Sequence, residues 1–170
     1  MAEPMRQEWW RYALITVPGI VILGSFSGWI SNSGDQNGWF DALEKPFFMP
    51  PGWVFGLVWP ILYVMLGVAV ALILAQPPSP ARKKALLLFF TQLALNFAWS
   101  PLFFAAHATT LALMTIFVMT AIAAMTAGQF WKIRRVAGAL MLPYLAWLCF
   151  AAALNAAIDR LNPGSSWMPG

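Results

Sequence analysis

The side chains that could support acid–base or metal chemistry in this 170-residue chain are few and scattered. Asp41 and Glu44 lie three residues apart, but in a segment broken by prolines, where solvated charges are more common than an acid–base pair. The single histidine, His107, and the single cysteine, Cys149, have no second ligand at the spacing of a metal site. The sequence therefore favours neither an enzyme nor a metal centre, and it predicts no obligatory cofactor. His107 as an axial haem ligand is equally disfavoured.

Amide side chains inside long apolar runs are better candidates for a functional site. Gln92 and Asn96 are four residues apart and Trp99 follows three later, so the three share one face of a helix. The spacing of four recurs at Trp147, Ala151 and Asn155. An amide within a membrane must find a partner or face a cavity. Two interpretations stay open here: the amides hydrogen-bond between helices, or they line a ligand site.

Composition places these residues in a membrane protein. The chain is 61% hydrophobic and 9% charged, whereas an ordinary soluble domain is roughly 25% charged. The mean hydropathy is +0.69. The net charge of +4 is interpreted as setting the orientation in the bilayer, and not as a nucleic-acid signal. The predicted partner is therefore the lipid bilayer.

Five apolar segments are long enough to cross a hydrocarbon core of about 30 Å. They predict an all-α integral membrane protein, a five-transmembrane-helix bundle forming one domain over residues 1–170. The predicted helices cover residues 12–31, 53–76, 84–104, 108–131 and 135–159, followed by a tail over 160–170. The first segment is interpreted as a helix, because no small-residue cleavage site of a signal peptide follows it.

The distribution of basic residues predicts the orientation. Eight of the ten precede the first helix or lie between helices two and three or four and five: Arg6, Arg11, Arg82, Lys83, Lys84, Lys132, Arg134 and Arg135. Only Lys45 and Arg160 lie on the other side. The positive-inside rule then places the N-terminus in the cytoplasm, and the C-terminus and the long loop over 32–52 outside. Within that loop, WFDALEKP predicts a short helix ended by Pro46.

The depths of the aromatic residues predict a covered cavity in the outer half of the bundle. A rise of about 1.5 Å per residue puts Trp59 about 10 Å and Asn96 about 12 Å below the outer surface, with Trp147 near the midplane. Tryptophans closer to the helix ends are interpreted as interfacial anchors: Trp9, Trp10, Trp29, Trp131 and Trp167. Apolar aromatic walls with a few polar groups are typical of a site for a flat small molecule.

The stretch WFDALEKPFFMPPGWVFGLVWPILYVMLG resembles the signature of the translocator protein family, the tryptophan-rich sensory proteins or peripheral benzodiazepine receptors (TspO/MBR). Its usual form is W-Y-x-x-L-x-K-P-x-W-x-P-P-x-W. The later stretches QLALNFAWSPLFF and LPYLAWLCFAAALN resemble the third and fifth helices of that family. The resemblance covers nearly the whole chain. Two departures are Phe40, in place of the usual tyrosine, and Phe48, in place of the second tryptophan.

The resemblance implies a receptor or sensor of the bacterial envelope, often a homodimer, that binds porphyrins, haem-like tetrapyrroles, sterols and isoquinoline or benzodiazepine-type drugs. It implies ligand contacts at Trp39, Phe40, Pro50, Trp59, Asn96, Trp99, Trp147, Ala151 and Asn155. One alternative is a tetrapyrrole or sterol transporter, disfavoured because five helices cannot form two equal halves. Another is light-dependent porphyrin degradation, in which Trp59 and Trp147 would be oxidised beside the photoexcited ring.

Small residues at intervals of four are compatible with a dimer without locating its interface. The pairs are Gly24 and Gly28, Ala94 and Ala98, and Ala123 and Ala127.

Cholesterol should bind this chain more weakly than it binds animal members of the family. Their sterol motif at the end of helix five contains a tyrosine, whereas Ala156 follows Asn155 here and no tyrosine precedes Arg160. Such motifs are weak determinants even when complete. A cholesterol titration checks this expectation, and tight binding that depends on residues 155–160 would contradict it.

Overall fold

The computed structural model describes residues 8–164, and every regular element in that range is a helix. In chain order they are α1 (Trp9–Ile30), α2 (Gly38–Ala42), α3 (Gly52–Leu74), α4 (Pro80–Ser100), α5 (Thr109–Ile133), α6 (Arg135–Leu140) and α7 (Leu142–Leu161). A π-helical turn, Pro101–Ala105, extends α4, and α6 and α7 together make one span. The described residues thus contain five apolar spans of 22 to 27 residues, which confirms the prediction of a five-helix membrane bundle.

Several helices begin or end outside the predicted boundaries because their terminal residues are polar or interfacial. Trp9 and Trp10 belong to α1, which begins three residues before the predicted start. Pro80 occupies the first turn of α4, and the Ser79 hydroxyl accepts a hydrogen bond from the Arg82 backbone N–H at 3.1 Å. Because serine caps a helix well and proline suits its first turn, α4 begins four residues before the predicted start.

Two predicted helical features differ in the structure. The fifth span is interrupted at Met141, whereas a continuous helix was expected. The break precedes Pro143, which has no N–H to donate within the helix. The loop helix α2 ends at Ala42, because Leu43 adopts an extended conformation with ψ of 145°. The prediction that Pro46 ends this helix is therefore wrong, because Pro46 lies four residues beyond Ala42.

The five spans bury one continuous core and a smaller cluster near the long loop. The main core joins side chains of all five spans, and the smaller cluster contains Phe40, Phe103, Phe104, Ala112, Leu154 and Ile158. The helices α1 and α3 approach closely at Gly67, whose carbonyl accepts a hydrogen bond from Thr16 Oγ1 at 2.8 Å. Of the small-residue pairs, Gly24, Ala123 and Ala127 are buried inside the chain, and Ala94 and Ala98 are exposed.

The long loop, the turn between α4 and α5, and the end of α7 meet at one end of the bundle, called here the loop end. The Asn37 amide donates to the carbonyl of Phe104 at 3.2 Å, which joins the loop to α4. Asn162 exchanges two hydrogen bonds with the backbone of Glu44, at 2.8 and 2.9 Å. The opposite end, called the basic end, carries the α3–α4 and α5–α6 connections. Arg6 and Trp167, both assigned roles from the sequence, lie outside the described residues.

Large apolar side chains cover the outside of the bundle. On α1, Leu14 is 67% exposed and Ile15 is 75% exposed, and similar side chains project from every other span. Exposed apolar surface of this extent is unstable in water, but it is the expected surface of a helix in contact with lipid. The bundle is therefore an integral multi-pass membrane protein in direct contact with the bilayer.

Candidate functional site

A cavity of about 680 Å³ lies in the half of the bundle next to the long loop, and all five spans contribute to its walls. Its volume falls within the range of small-molecule sites, about 300–1,000 Å³. The long loop contributes Phe40 from α2 and Met49 from the segment before α3. The cavity therefore has both a wall of membrane helices and a cover formed by the loop.

Seven of the nine residues selected by the family resemblance line this cavity: Phe40, Trp59, Asn96, Trp99, Trp147, Ala151 and Asn155. Trp39 and Pro50 do not line it. The Trp39 ring instead stacks on His107, with ring centroids 4.1 Å apart and an interplanar angle of 12°. It also meets the edge of Phe103 at 5.7 Å. Trp39 thus joins α2 to the turn between α4 and α5, and Phe40 faces the cavity.

The deep wall of the cavity is built from tryptophans of α3 and α7. The rings of Trp59 and Trp147 meet edge to face at 6.3 Å, and Phe55 meets Trp147 at 5.7 Å. The indole N–H of Trp147 is buried and has no hydrogen-bond partner among the described residues. An unpaired buried donor costs about 1–3 kcal/mol. The Trp147 N–H is therefore available to an acceptor atom of a bound molecule.

A chain of hydrogen bonds lies beside this wall and links α3, α4 and α7. The Tyr63 hydroxyl donates to Asn96 Oδ1 at 3.0 Å, and Asn96 Nδ2 donates to the Tyr144 hydroxyl at 3.2 Å. The Tyr144 hydroxyl donates in turn to Gln92 Oε1 at 2.7 Å. Both interpretations left open for the amides therefore apply to Asn96, which joins helices and also lines the cavity. Gln92 only joins helices, since it is fully buried outside the cavity lining.

Asn155 organises the part of the cavity nearest the loop. Its Oδ1 accepts a hydrogen bond from the indole of Trp99 at 3.3 Å, and its Nδ2 donates to the carbonyl of Thr109 at 3.0 Å. The Thr109 hydroxyl donates to Asp159 at 2.6 Å. These contacts fix the Trp99 ring and tie the start of α5 to α7, so Asn155 is both a structural and a lining residue.

The polar side of the cavity was not predicted from the sequence. The end of α1 and the first part of the loop line it with Gly24, Ser25, Gly28, Trp29, Asn32, Ser33, Gly34, Asp35 and Gln36. Gly24 was considered only as a helix-contact residue, but it packs against the Tyr63 ring, which a β-carbon would overlap. The two glycines of the segment GSFSG could have indicated that α1 lines the cavity. Small residues let two helices approach closely, and such an approach can also place α1 at the wall of a cavity.

The groups that could have carried acid–base or metal chemistry do not converge. Lys45 is half-buried and lies 3.9 Å from the exposed carboxylate of Asp41. Cys149 is exposed on α7. Glu44 lies in the loop and bonds through its backbone. Within residues 8–164, no three His, Cys, Asp or Glu side chains lie close enough to hold a metal ion.

Comparison with known proteins places this arrangement in a family. Residues 15–161 match the TspO/MBR family. The tryptophan-rich protein TspO of Archaeoglobus fulgidus is 37% identical over 143 residues, which cover 84% of this chain and 92% of that protein. The human translocator protein is 37% identical over 150 residues, covering 87% and 88% of the two chains. The tryptophan-rich sensory protein of Cereibacter sphaeroides is 39% identical over 124 residues, covering 73% and 77%. The chain therefore belongs to the TspO/MBR family, as its motifs indicate.

Proposed function

We propose that this chain is a membrane receptor or sensor whose cavity binds flat hydrophobic molecules of the porphyrin class. The observation that carries the proposal is a cavity of about 680 Å³ walled by Trp59, Trp99 and Trp147 beneath the loop. Relatives named translocator and tryptophan-rich sensory protein support the receptor or sensor role. Related tetrapyrroles and drugs of the isoquinoline or benzodiazepine type belong to the same proposal, because they are also flat and largely apolar.

The proposed binding mode uses the aromatic wall and the unpaired donor. A planar ring packs against the tryptophan rings, which provide large rigid surfaces at a small cost in side-chain entropy. An acceptor atom of the ligand pairs with the Trp147 N–H. Phe40 and Met49 cover the ligand, and the contacts of Asn37 with Phe104 and of Trp39 with His107 hold this cover in place.

Binding should quench the tryptophan fluorescence of the purified protein, and replacing cavity residues should weaken the binding. Protoporphyrin IX is the probe. We expect the combined Asn96→Ala and Trp147→Ala substitutions to raise its Kd by about fivefold or more, as truncation of central contact residues does elsewhere. The single Trp147→Phe variant keeps most of the packing and loses the indole N–H, so its Kd should rise less.

Trp131→Ala is the matched control for this experiment. Trp131 is an exposed tryptophan on α5 near the basic end and does not line the cavity. Its removal should reduce the total fluorescence and leave the Kd unchanged. An unchanged Kd in the Asn96 and Trp147 variants, with thermal unfolding midpoints near that of the wild type, would contradict the proposed site.

The proposal includes an orientation, with the loop end facing out of the cell and the basic end facing the cytoplasm. It follows from the positive-inside rule, because seven of the described basic residues flank the basic end of the helices and only Lys45 and Arg160 lie at the loop end. A homodimer is also part of the proposal, and it rests on the family resemblance.

A cysteine placed in the loop tests this orientation. Phe47 is fully exposed in the loop, so Phe47→Cys in a Cys149→Ser background should react with a membrane-impermeant thiol reagent added to intact spheroplasts. A cysteine at Lys83, near the start of α4 at the basic end, should react only after lysis. The reverse pattern would contradict the orientation.

A further inference from the structure

The charged groups around the cavity are unevenly distributed. Among the described residues that line it, Asp35 is the only one with a charged side chain, and none is a lysine, an arginine or a histidine. The neighbours of Asp35 in the lining, Asn32, Ser33 and Gln36, are polar but uncharged. These four residues are exposed, and the side of the cavity that they form is called here the mouth. The mouth therefore carries one negative charge, and the rest of the lining carries none.

The position of the Asp35 carboxylate is set by the start of α3. The carboxylate lies directly against Gly52, the first residue of that helix, and a β-carbon at Gly52 would overlap it. The N-terminal end of a helix stabilises a nearby carboxylate through the helix dipole. Glycine at position 52 thus allows the negative charge to rest at the edge of the cavity, where a bound molecule would meet it.

Lys45 is the basic residue nearest to Asp35 in the sequence, and its ammonium group makes its contacts outside the cavity. The Lys45 ammonium lies over the Phe40 ring, 5.0 Å from its centroid, and donates to the Asp41 carbonyl at 3.0 Å. Lys45 does not line the cavity, although Phe40 does. The His107 ring stacks on the Trp39 ring, and neither residue lines the cavity. A carboxylate inside the cavity would therefore meet no cationic partner in the arrangement that the structure shows.

This distribution of charge is unfavourable for porphyrins that carry two free carboxylates. If the carboxylates entered the apolar interior, each would lose its hydration without gaining an ion pair, which is strongly unfavourable. If they stayed at the mouth, they would lie near Asp35 and be repelled by it. A neutral ring, or one with a cationic group at the mouth, avoids both costs and still offers an acceptor to Trp147.

From this distribution we infer that the cavity selects among flat ligands by charge, and that Asp35 disfavours dianionic porphyrin acids relative to their neutral esters. The inference rests on the proposed function, since it concerns ligands of the same cavity. It assigns to Asp35 a role in specificity. The substrate class that fits the cavity best is a flat, neutral or monocationic ring system with a hydrogen-bond acceptor.

The test compares protoporphyrin IX with its dimethyl ester in nanodiscs of uncharged lipid. The measured quantity is the ratio of the two Kd values, acid over ester, for the wild type and for Asp35→Asn. At low ionic strength this ratio should fall by about two- to fivefold in the variant, the scale of one exposed charge interaction. The fall should shrink as salt is added, because the screening length decreases to about 10 Å at 0.1 M.

The design separates charge selection from ligand hydrophobicity and from misfolding. The ester partitions more strongly into lipid, but this difference is the same for every variant in the same bilayer and cancels between their ratios. Asp41→Asn removes an exposed carboxylate outside the cavity lining and should leave the ratio unchanged. Asp35→Asn is nearly isosteric at an exposed position, and unchanged ester affinity shows that the cavity is intact.

Two results would overturn the inference. One is a ratio that is the same in Asp35→Asn and in the wild type, with both ligands still sensitive to Trp147→Phe; the proposed function would then stand without charge selection. The other is a loss of acid binding in Lys45→Met, which would show that Lys45 pairs with the carboxylates. If neither porphyrin depends on Trp147, the proposed site itself fails together with this inference.

Discussion

Replacing Gly67 with alanine should lower the free energy of unfolding by about 1–3 kcal/mol, the usual cost of overpacking a tight contact. A β-carbon at Gly67 would lie 2.7 Å from the Cα atom of Val17 on α1. Because that neighbour is backbone, no side-chain rotation can relieve the overlap, and α1 must move away from α3. The movement would also stretch the 2.8 Å hydrogen bond from Thr16 to the Gly67 carbonyl.

The measurement is reversible denaturation with sodium dodecyl sulfate in mixed micelles, followed by circular dichroism. Gly128→Ala is the matched control, because Gly128 lies in α5 and a β-carbon there would meet no atom of another helix within 4 Å. Alanine should be neutral or slightly stabilising at that position, since it favours helix more than glycine does. Equal stability of the two variants would show that the contact between α1 and α3 is looser than the structure indicates.

The Gly67→Ala substitution should also change the shape of the cavity. The end of α1 forms the polar side of the cavity through Gly24, Ser25 and Gly28. A displaced α1 should therefore weaken ligand binding, although Gly67 does not line the cavity. Gly128→Ala should leave ligand binding unchanged.

Hydropathy alone was sufficient to predict the five spans, but it could not predict which side of each helix is buried. In a soluble protein the polar face of a helix marks its exposed side, whereas lipid-facing and core-facing sides are both apolar here. On α3, Leu66 is fully buried and Leu57 is 54% exposed, and the residue type does not distinguish them. The contribution of α1 to the cavity was missed for this reason.

The deep aromatic and amide residues were easier to predict because each has a physical cost in lipid. Asn96 and Asn155 need partners, and their spacing with Trp99 indicated one shared region. The identity of those partners was not predictable, because Tyr144 and Thr109 come from other helices. The position of Trp39 depends on His107, which lies in the turn between α4 and α5 and itself has a φ of 53°. Such a turn is set by tertiary contacts, and the sequence pattern does not indicate it.

The Tyr144→Phe substitution should reduce both stability and ligand affinity, although Tyr144 does not line the cavity. The hydroxyl accepts a hydrogen bond from Asn96 and donates one to Gln92. Without it, Gln92 loses this partner, and its Nε2 has none among the described residues. We expect a loss of about 1–2 kcal/mol, between the usual cost of a buried unpaired group and the smaller values found within membranes. The Asn96 amide would keep its hydrogen bond from Tyr63 but lose the acceptor of its Nδ2 group. It would be held less firmly at the cavity wall, so the Kd for protoporphyrin IX should rise.

A second substitution separates these two effects. In the double variant Tyr144→Phe with Gln92→Leu, the orphaned amide is replaced by an apolar side chain of similar size, so part of the stability should return. The ligand affinity should stay low, because Asn96 still lacks the Tyr144 hydroxyl that accepts from its Nδ2 group. Tyr12→Phe, at an exposed position near the basic end, should change neither quantity. If the affinity of Tyr144→Phe equals that of the wild type while its stability falls, the hydrogen-bond chain serves the packing of α3, α4 and α7 alone. If affinity and stability both recover in the double variant, the lower affinity came from the destabilised bundle and not from the orientation of Asn96.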